Sequence, residues 1–215
     1  MSNVVPDPAA SAPDPVRILN LANGLTVLRL ALVPVFAVLL VTDDGQDTTM
    51  RLVAALVFAV AVITDRFDGL IARQRNLITE FGKVADPIAD KALIGTAMVA
   101  LSLLDLLSWW VTVVILFREV AVTLLRFWVI RHGVIAASRG GKLKTVVQAA
   151  AIGLYILPLS GALGTVRWWV MAVALILTVV TGMDYVVRAL RLRRTSARAM
   201  QRAAHARAQR TREAT

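Results

Sequence analysis

Residues 64–91 read TDRFDGLIARQRNLITEFGKVADPIADK, and they set Asp65, Asp68, Asp86 and Asp90 inside or beside two strongly apolar runs. A carboxylate in hydrocarbon costs a few kcal/mol, about 2.5–3.5 on insertion scales, so ionisable groups there usually mark a site. Asp65 and Asp68 stand three residues apart, Asp86 and Asp90 four apart, which puts each pair on one helical face. Two such helices, antiparallel and joined by a short polar turn, would bring the faces together. Gly69, Ala72 and Gly82 are small enough for close backbone approach or for a ligand. Pro87 fits either an early helical turn or a kink.

The rest of the chain makes the bilayer the solvent. Hydrophobic residues make up 58% and charged residues 18%, with a mean hydropathy of +0.69. A soluble domain carries roughly 45–50% apolar residues. The chain of 215 residues accommodates one domain of about six spanning helices at ~20 residues each. Apolar runs cover residues 19–41, 50–73, 83–104, 107–131, 143–163 and 167–190. Trp109, Trp110, Trp168 and Trp169 fall at run edges, as suits an indole at the membrane interface.

The connections alternate in charge. Arg73, Arg75 and Lys83 surround the join of runs two and three, and Arg131, Arg139, Lys142 and Lys144 that of four and five. The connections near residues 42–49, 105–108 and 161–165 hold no Lys or Arg. By the positive-inside rule the expectation is an all-α integral membrane protein with six transmembrane helices and both termini cytoplasmic. Residues 1–15, with four prolines, cannot bury much apolar surface and are expected to be disordered. Residues 16–190 then form the membrane domain. Residues 191–215, with eight arginines, form a basic cytoplasmic tail, read as a solvated flank, a continuation of helix six or a segment lying on anionic lipid.

Several function classes drop out. The formal charge of +10 sits between apolar runs and in the tail, so nucleic acid is not the expected partner. With no cysteine there is neither a disulfide framework nor thiol catalysis. No basic segment followed by a short apolar core opens the chain, so no cleaved signal peptide is expected. His132 and His205 lie in basic loop and tail and read as surface residues.

Four carboxylates clustered without His or Cys describe a hard-cation site, favouring magnesium or manganese over zinc. Four ligands suffice for two metals, and two divalent cations can grip a pyrophosphate and help a leaving group depart. Phosphoryl-type transfer is the natural chemistry. A polar helix-pair interface, with Arg66 and Arg73 paired to the carboxylates, meets the same spacing. No nucleophilic Ser, Cys or His stands in the stretch, which favours direct displacement.

The stretch resembles the CDP-alcohol phosphotransferase family, whose pattern is DxxDGxxAR, eight residues, G, three residues, D, three residues, D. Asp65, Asp68, Gly69, Ala72, Arg73, Gly82, Asp86 and Asp90 match it at every position. The resemblance implies that Asp65, Asp68 and Asp86 ligate one metal, and that Asp65, Asp86 and Asp90 share the second. It implies Asp90 as the general base toward the acceptor alcohol, with two Mg2+ (or Mn2+) as cofactors. Gly69, Ala72, Arg73, Thr79 and Gly82 resemble the positions that bind CDP-diacylglycerol, and Asn23 and Thr26 those approaching the cytidine diphosphate from helix one. A homodimer is implied as well.

The acceptor must be read elsewhere. Arg118 and Glu119 lie near the middle of run four, where charge is costly, and Arg126 follows two turns later. Lys142 and Lys144 stand in GGKLKT, residues 140–145, followed by Gln148. These cations suit a phosphate pocket, although the two lysines equally fit snorkelling positive-inside flanks. FREVAVTLLR (117–126), IAASRGGKLKTVVQ (135–148) and NGLTVLRLALVPVF (23–36) resemble segments of bacterial phosphatidylglycerophosphate synthases. That implies sn-glycerol 3-phosphate as acceptor, held by Arg118, Arg126, Lys142 and Lys144, at a cell membrane with the active site facing the cytoplasm. The competing readings are a phosphatidylinositol phosphate synthase or cardiolipin synthase of the same family, a divalent-cation transporter, and an inactive scaffold. The absence of an internal repeat speaks against the transporter.

Overall fold

A computed structural model describes residues 21–74, 79–129 and 139–213. Six α-helices account for nearly all of them: α1 (Leu21–Val41), α2 (Thr48–Gln74), α3 (Glu80–Leu103), α4 (Trp109–Val129), α5 (Arg139–Ile156) and α6 (Gly161–Glu213). No strand occurs among the described residues. Three of the helical stretches, Asn23–Gly45, Thr48–Asp65 and Gly161–Leu192, are long and apolar enough to cross a membrane. Helices α3 and α4 have comparable length but carry Asp86, Asp90 and Lys91, and Arg118 and Glu119, within their apolar sequence. The predicted segment 1–15 lies outside the described residues.

The helix ends follow local chemistry. Asp47 Oδ1 accepts from the amides of Thr49 (2.7 Å) and Met50 (3.2 Å), opening α2. Between α1 and α2 a single 3₁₀ turn takes Asp43, Asp44 and Gly45 to positive φ. At Gly45 (φ +69°) a Cβ would stand 2.9 Å from Leu104 Cδ1, so the turn packs closely on the end of α3. Thr79 caps α3 by accepting from the Gly82 amide at 3.0 Å. Pro87 lies inside α3, which continues through it to Leu103.

The ends of α5 and α6 differ from the hydropathy reading. Helix α5 stops at Ile156 rather than continuing to residue 163, because Pro158 disfavours helical geometry in Leu157 and offers no N–H of its own. Helix α6 begins six residues earlier than the run and extends to Glu213, 53 residues in all. Its Ala- and Arg-rich end has high intrinsic helix propensity, so loss of hydropathy does not end the helix.

The core is built from both small and large apolar residues. Phe36 and Leu40 of α1, Phe58 and Ala61 of α2, Met98 and Leu101 of α3, Ile115 of α4, Ile152 of α5 and Ala174 of α6 are buried together. The Phe36 and Phe58 rings lie 5.7 Å apart. Helix α1 packs along both α2 and α3, while α5 packs on α6 and α4 against α6; α2 and α3 touch each other only lightly. Large apolar side chains such as Phe117 (73%), Leu56 (64%) and Trp169 (61%) point outward. An apolar exterior of this kind suits lipid as the surroundings.

A buried arginine clamps the end opposite the carboxylates. Arg51 donates through Nε to the Ile156 carbonyl at 2.9 Å and through Nη2 to the Tyr155 and Leu157 carbonyls at 3.0 and 3.2 Å. Those carbonyls end α5, where a cation also meets the negative pole of the helix dipole.

Candidate active site

The carboxylates gather around α1 rather than across a direct α2–α3 contact. Asp65 of α2 accepts from Arg29 Nη1 at 2.5 Å, with the Arg29 side chain fully buried and that of Asp65 33% exposed. Asp86 of α3 accepts from Thr26 Oγ1 at 2.5 Å. Thr79 Oγ1 donates to Asn23 Oδ1 at 2.9 Å while accepting from the Gly82 amide. Asn23, Thr26 and Arg29, three residues apart along one side of α1, thus bridge both acidic helices. Facing carboxylates repel at close range, and an inserted cation with two neutral polar groups relieves that repulsion.

Gly82 belongs to the same nest. A Cβ there would lie 3.0 Å from Asn23 Oδ1, 3.3 Å from Thr79 Oγ1 and 3.9 Å from Asp86 Oδ2. Asp90, one turn beyond Asp86, is acted on electrostatically by Asp65, Lys91, Glu119 and Arg29. Asp65 and Asp90 therefore feel one another's charge, while Asp86 is tied to the same face of α1 through Thr26. The side chain of Asp68 lies outside the described residues, as do those of Arg73 and Ala72; Gly69 shares the α2 backbone with them. Among the described residues no trio of His, Cys, Asp or Glu closes into a metal-binding cluster. The donor set is nevertheless all oxygen, and Asp65 and Asp86 each have only one oxygen in the bonds described above, so its chemistry fits a hard divalent cation.

Beside Asp90 opens a cavity of about 180 Å³ lined by Asp90, Lys91 and Ile94 of α3, Leu116, Glu119 and Val120 of α4, and Lys144, Thr145 and Gln148 of α5. Glu119 is its electrostatic hub. It accepts from the buried Lys144 Nζ in a very short ion pair, from Arg118 Nη1 at 3.2 Å, and lies 3.5 Å from Lys91 Nζ.

The four predicted acceptor cations separate. Lys144 lines the cavity. Arg118 turns the other way: Nε donates to the Thr178 carbonyl at 3.0 Å and Nη2 to Thr181 Oγ1 at 2.8 Å. Its stem lies against Gly182, where a Cβ would come within 3.0 Å of Arg118 Cγ. Arg118 thereby ties α4 to α6. Arg126 and Lys142 sit on α4 and α5, with side chains outside the described residues. Sequence reasoning missed Arg29 and Lys91. The threefold spacing of Asn23, Thr26 and Arg29 was a signal for the first, and the position next to Asp90 for the second.

A second, apolar feature runs between α2 and α5: an open groove of about 890 Å³ walled by Leu52, Leu56, Phe58 and Ile63 on one side and Val146 and Leu157 on the other, among others. One end reaches Ile63, two residues from Asp65. The span from Leu52 to Ile63 is about 16 Å at the helical rise of 1.5 Å per residue.

The family described as CDP-alcohol phosphatidyltransferase matches residues 19–180. A probable phosphatidylglycerophosphate synthase of Mycobacterium tuberculosis is 61% identical over 175 residues, covering 81% of this chain and 84% of the relative. A protein of Bacillus subtilis named CDP-diacylglycerol–glycerol-3-phosphate 3-phosphatidyltransferase is 35% identical over 182 residues, 77% of this chain and 93% of its own. A Rickettsia typhi protein of that name is 39% identical over 174 residues, 77% and 94% of the two chains.

Proposed function

The chain belongs to the CDP-alcohol phosphatidyltransferase family, and from that premise we propose that it transfers the phosphatidyl group of CDP-diacylglycerol to sn-glycerol 3-phosphate. The products are phosphatidylglycerophosphate and CMP. The observation that carries this reading is the cavity shared by Asp90 and Lys144: a carboxylate to take a proton and a buried cation to hold an anionic acceptor line one small space.

The terminal hydroxyl of glycerol 3-phosphate attacks the phosphorus that bears the diacylglycerol. The new O–P bond forms as the pyrophosphate P–O bond breaks, CMP leaves with the electron pair, and the hydroxyl proton passes to Asp90. Asp65, Asp68, Asp86 and Asp90 would hold two divalent cations, Mg2+ or Mn2+, whose charge neutralises the pyrophosphate. Arg29 fixes Asp65 and Thr26 fixes Asp86, so both carboxylates are oriented before substrate arrives. Asn23, Thr79 and Gly82 form a compact polar floor for the nucleotide, and Gly69, Ala72 and Arg73 are the further nucleotide positions that the sequence pattern offers on α2.

Lys144 and Lys91 hold the acceptor phosphate, with Arg126 of α4 and Lys142 of α5 as the further cations that the sequence offers for it. Arg118 acts at one remove, by fixing Glu119 and tying α4 to α6. The groove between α2 and α5 takes an acyl chain, since it is apolar, open to the side and begins beside Asp65. In this reading all six helices cross a cell membrane, both termini and the carboxylates face the cytoplasm, and the enzyme works as a homodimer.

The test is CMP release by the purified chain from CDP-diacylglycerol, with and without glycerol 3-phosphate and magnesium. Release is expected to need both, and to fall at least about 10²-fold in Asp90→Asn, the lower bound for removal of a general base. Turnover with inositol phosphate or phosphatidylglycerol in place of glycerol 3-phosphate would keep the family chemistry and overturn the acceptor.

A further inference from the structure

Gln148 is 3% exposed, and its Oε1 has no hydrogen-bond partner. A buried amide oxygen without a partner costs about 1–3 kcal/mol, so such a group calls for an explanation. Its position supplies one. Gln148 lines the same cavity as Asp90, Lys91 and Lys144, and it stands four residues after Lys144, so the two share one face of α5 about 6 Å apart. Ile94, Leu116 and Val120 of the same lining are apolar and offer nothing to hydrogen-bond.

Resting on the reaction proposed above, we propose that Gln148 is a specificity-determining residue that hydrogen-bonds the secondary hydroxyl of the acceptor. The acceptor has three polar points: a phosphate, a terminal hydroxyl that reacts and a middle hydroxyl that does not. Lys144 with Lys91 matches the first, and Asp90 the second. Of the other polar groups in the lining, Glu119 is held by Lys144, Arg118 and Lys91, and Thr145 Oγ1 donates to the Gly141 carbonyl, which leaves the Gln148 amide for the third. A hydroxyl both donates and accepts, so it satisfies the amide in either orientation. A site built around a buried hydrogen-bonding group rejects the analogue that lacks the matching group, because the protein group is then left unpaired.

The experiment compares glycerol 3-phosphate with 3-hydroxypropyl phosphate, the same acceptor without its middle hydroxyl, in the detergent-purified enzyme with magnesium and CDP-diacylglycerol. In the unmodified chain, kcat/KM is expected to be about 10- to 100-fold lower for the deoxy acceptor, as one buried hydrogen bond implies. In Gln148→Met the value for glycerol 3-phosphate falls by a similar factor while that for the deoxy acceptor stays within about threefold, so the discrimination collapses. Gln148→Asn, which keeps the amide but withdraws it by one methylene, retains part of it. Activity of the variants on the deoxy acceptor reports that they are folded.

No discrimination by the unmodified chain overturns the proposal. So does discrimination unchanged in Gln148→Met, or an equal loss with both acceptors in both variants, which would mean that Gln148 only fills space or holds a buried water. If the unmodified chain releases no CMP with glycerol 3-phosphate, the reaction itself is wrong and the role of Gln148 falls with it. That outcome is distinct from release with unaltered discrimination.

Discussion

Replacing Arg29 by Met tests whether the carboxylate nest depends on its inserted cation. The Arg29 side chain is fully buried and meets Asp65 at 2.5 Å, with Asp65 33% exposed. Removing one partner of a fully buried pair costs about 3–5 kcal/mol. Partial exposure lets water screen the abandoned carboxylate, so about 2–3 kcal/mol is the appropriate figure here. For a chain of this size each kcal/mol moves the melting temperature by about 2–4 °C, which gives a drop of roughly 4–12 °C. The absence of cysteine rules out thiol-reactive dyes, so intrinsic tryptophan fluorescence in detergent is the assay, with EDTA present to remove divalent cations. Asp65→Asn alone removes the carboxylate charge that Arg29 Nη1 meets and should also destabilise. The double variant Arg29→Met with Asp65→Asn removes both charges and should recover at least about 1 kcal/mol relative to the sum of the singles. Strict additivity, with coupling below about 0.5 kcal/mol, would refute the claim that these residues act as a pair.

Lys144→Met should raise the KM for glycerol 3-phosphate by about tenfold or more, the loss expected of one charge-assisted bond, with a smaller change in the KM for CDP-diacylglycerol; equal effects on both would remove Lys144 from the acceptor site. Gly82→Ala pushes a methyl to within 3.0 Å of Asn23 Oδ1, and overpacking of this order costs about 1–3 kcal/mol. Its kcat/KM for CDP-diacylglycerol should fall about 5- to 100-fold, and steady-state kinetics at unmodified level would show that the nest relaxes freely. Arg51→Met leaves three carbonyls at the end of α5 without their donor. It should lower the melting temperature by about 4–12 °C, from about 2–3 kcal/mol lost, while leaving KM for both substrates unchanged at low temperature, because Arg51 lies at the opposite end from the carboxylates.

Much of the fold follows from local chemistry alone. The apolar runs anticipated all six helices because a continuous apolar segment of this length satisfies its own backbone hydrogen bonds only as a helix. The ends were less legible: Pro158 stops α5 early, and α6 outlasts its hydropathy because arginine and alanine favour helix whether or not lipid surrounds them. In the candidate site, Asp65, Asp86 and Asp90 stood out because charge within apolar sequence is expensive and rare. Gly82 stood out by its small size between the two acidic pairs, whereas Asn23, Thr26 and Thr79 stood out only through family resemblance.

Tertiary packing decided the rest. That α1 lies against both α2 and α3, so that Arg29 meets Asp65 and Thr26 meets Asp86, depends on contacts 36 and 60 residues apart in the chain. No periodicity encodes such a pairing. Sequence put Arg118 and Lys144 in one class, cations near a site, yet Arg118 binds the α6 backbone while Lys144 faces the cavity. The difference comes from rotation of each helix about its axis, which packing alone fixes. Residue type and spacing therefore determined what chemistry this chain carries, and the packing of α1, α3, α4 and α5 determined which of those groups meet.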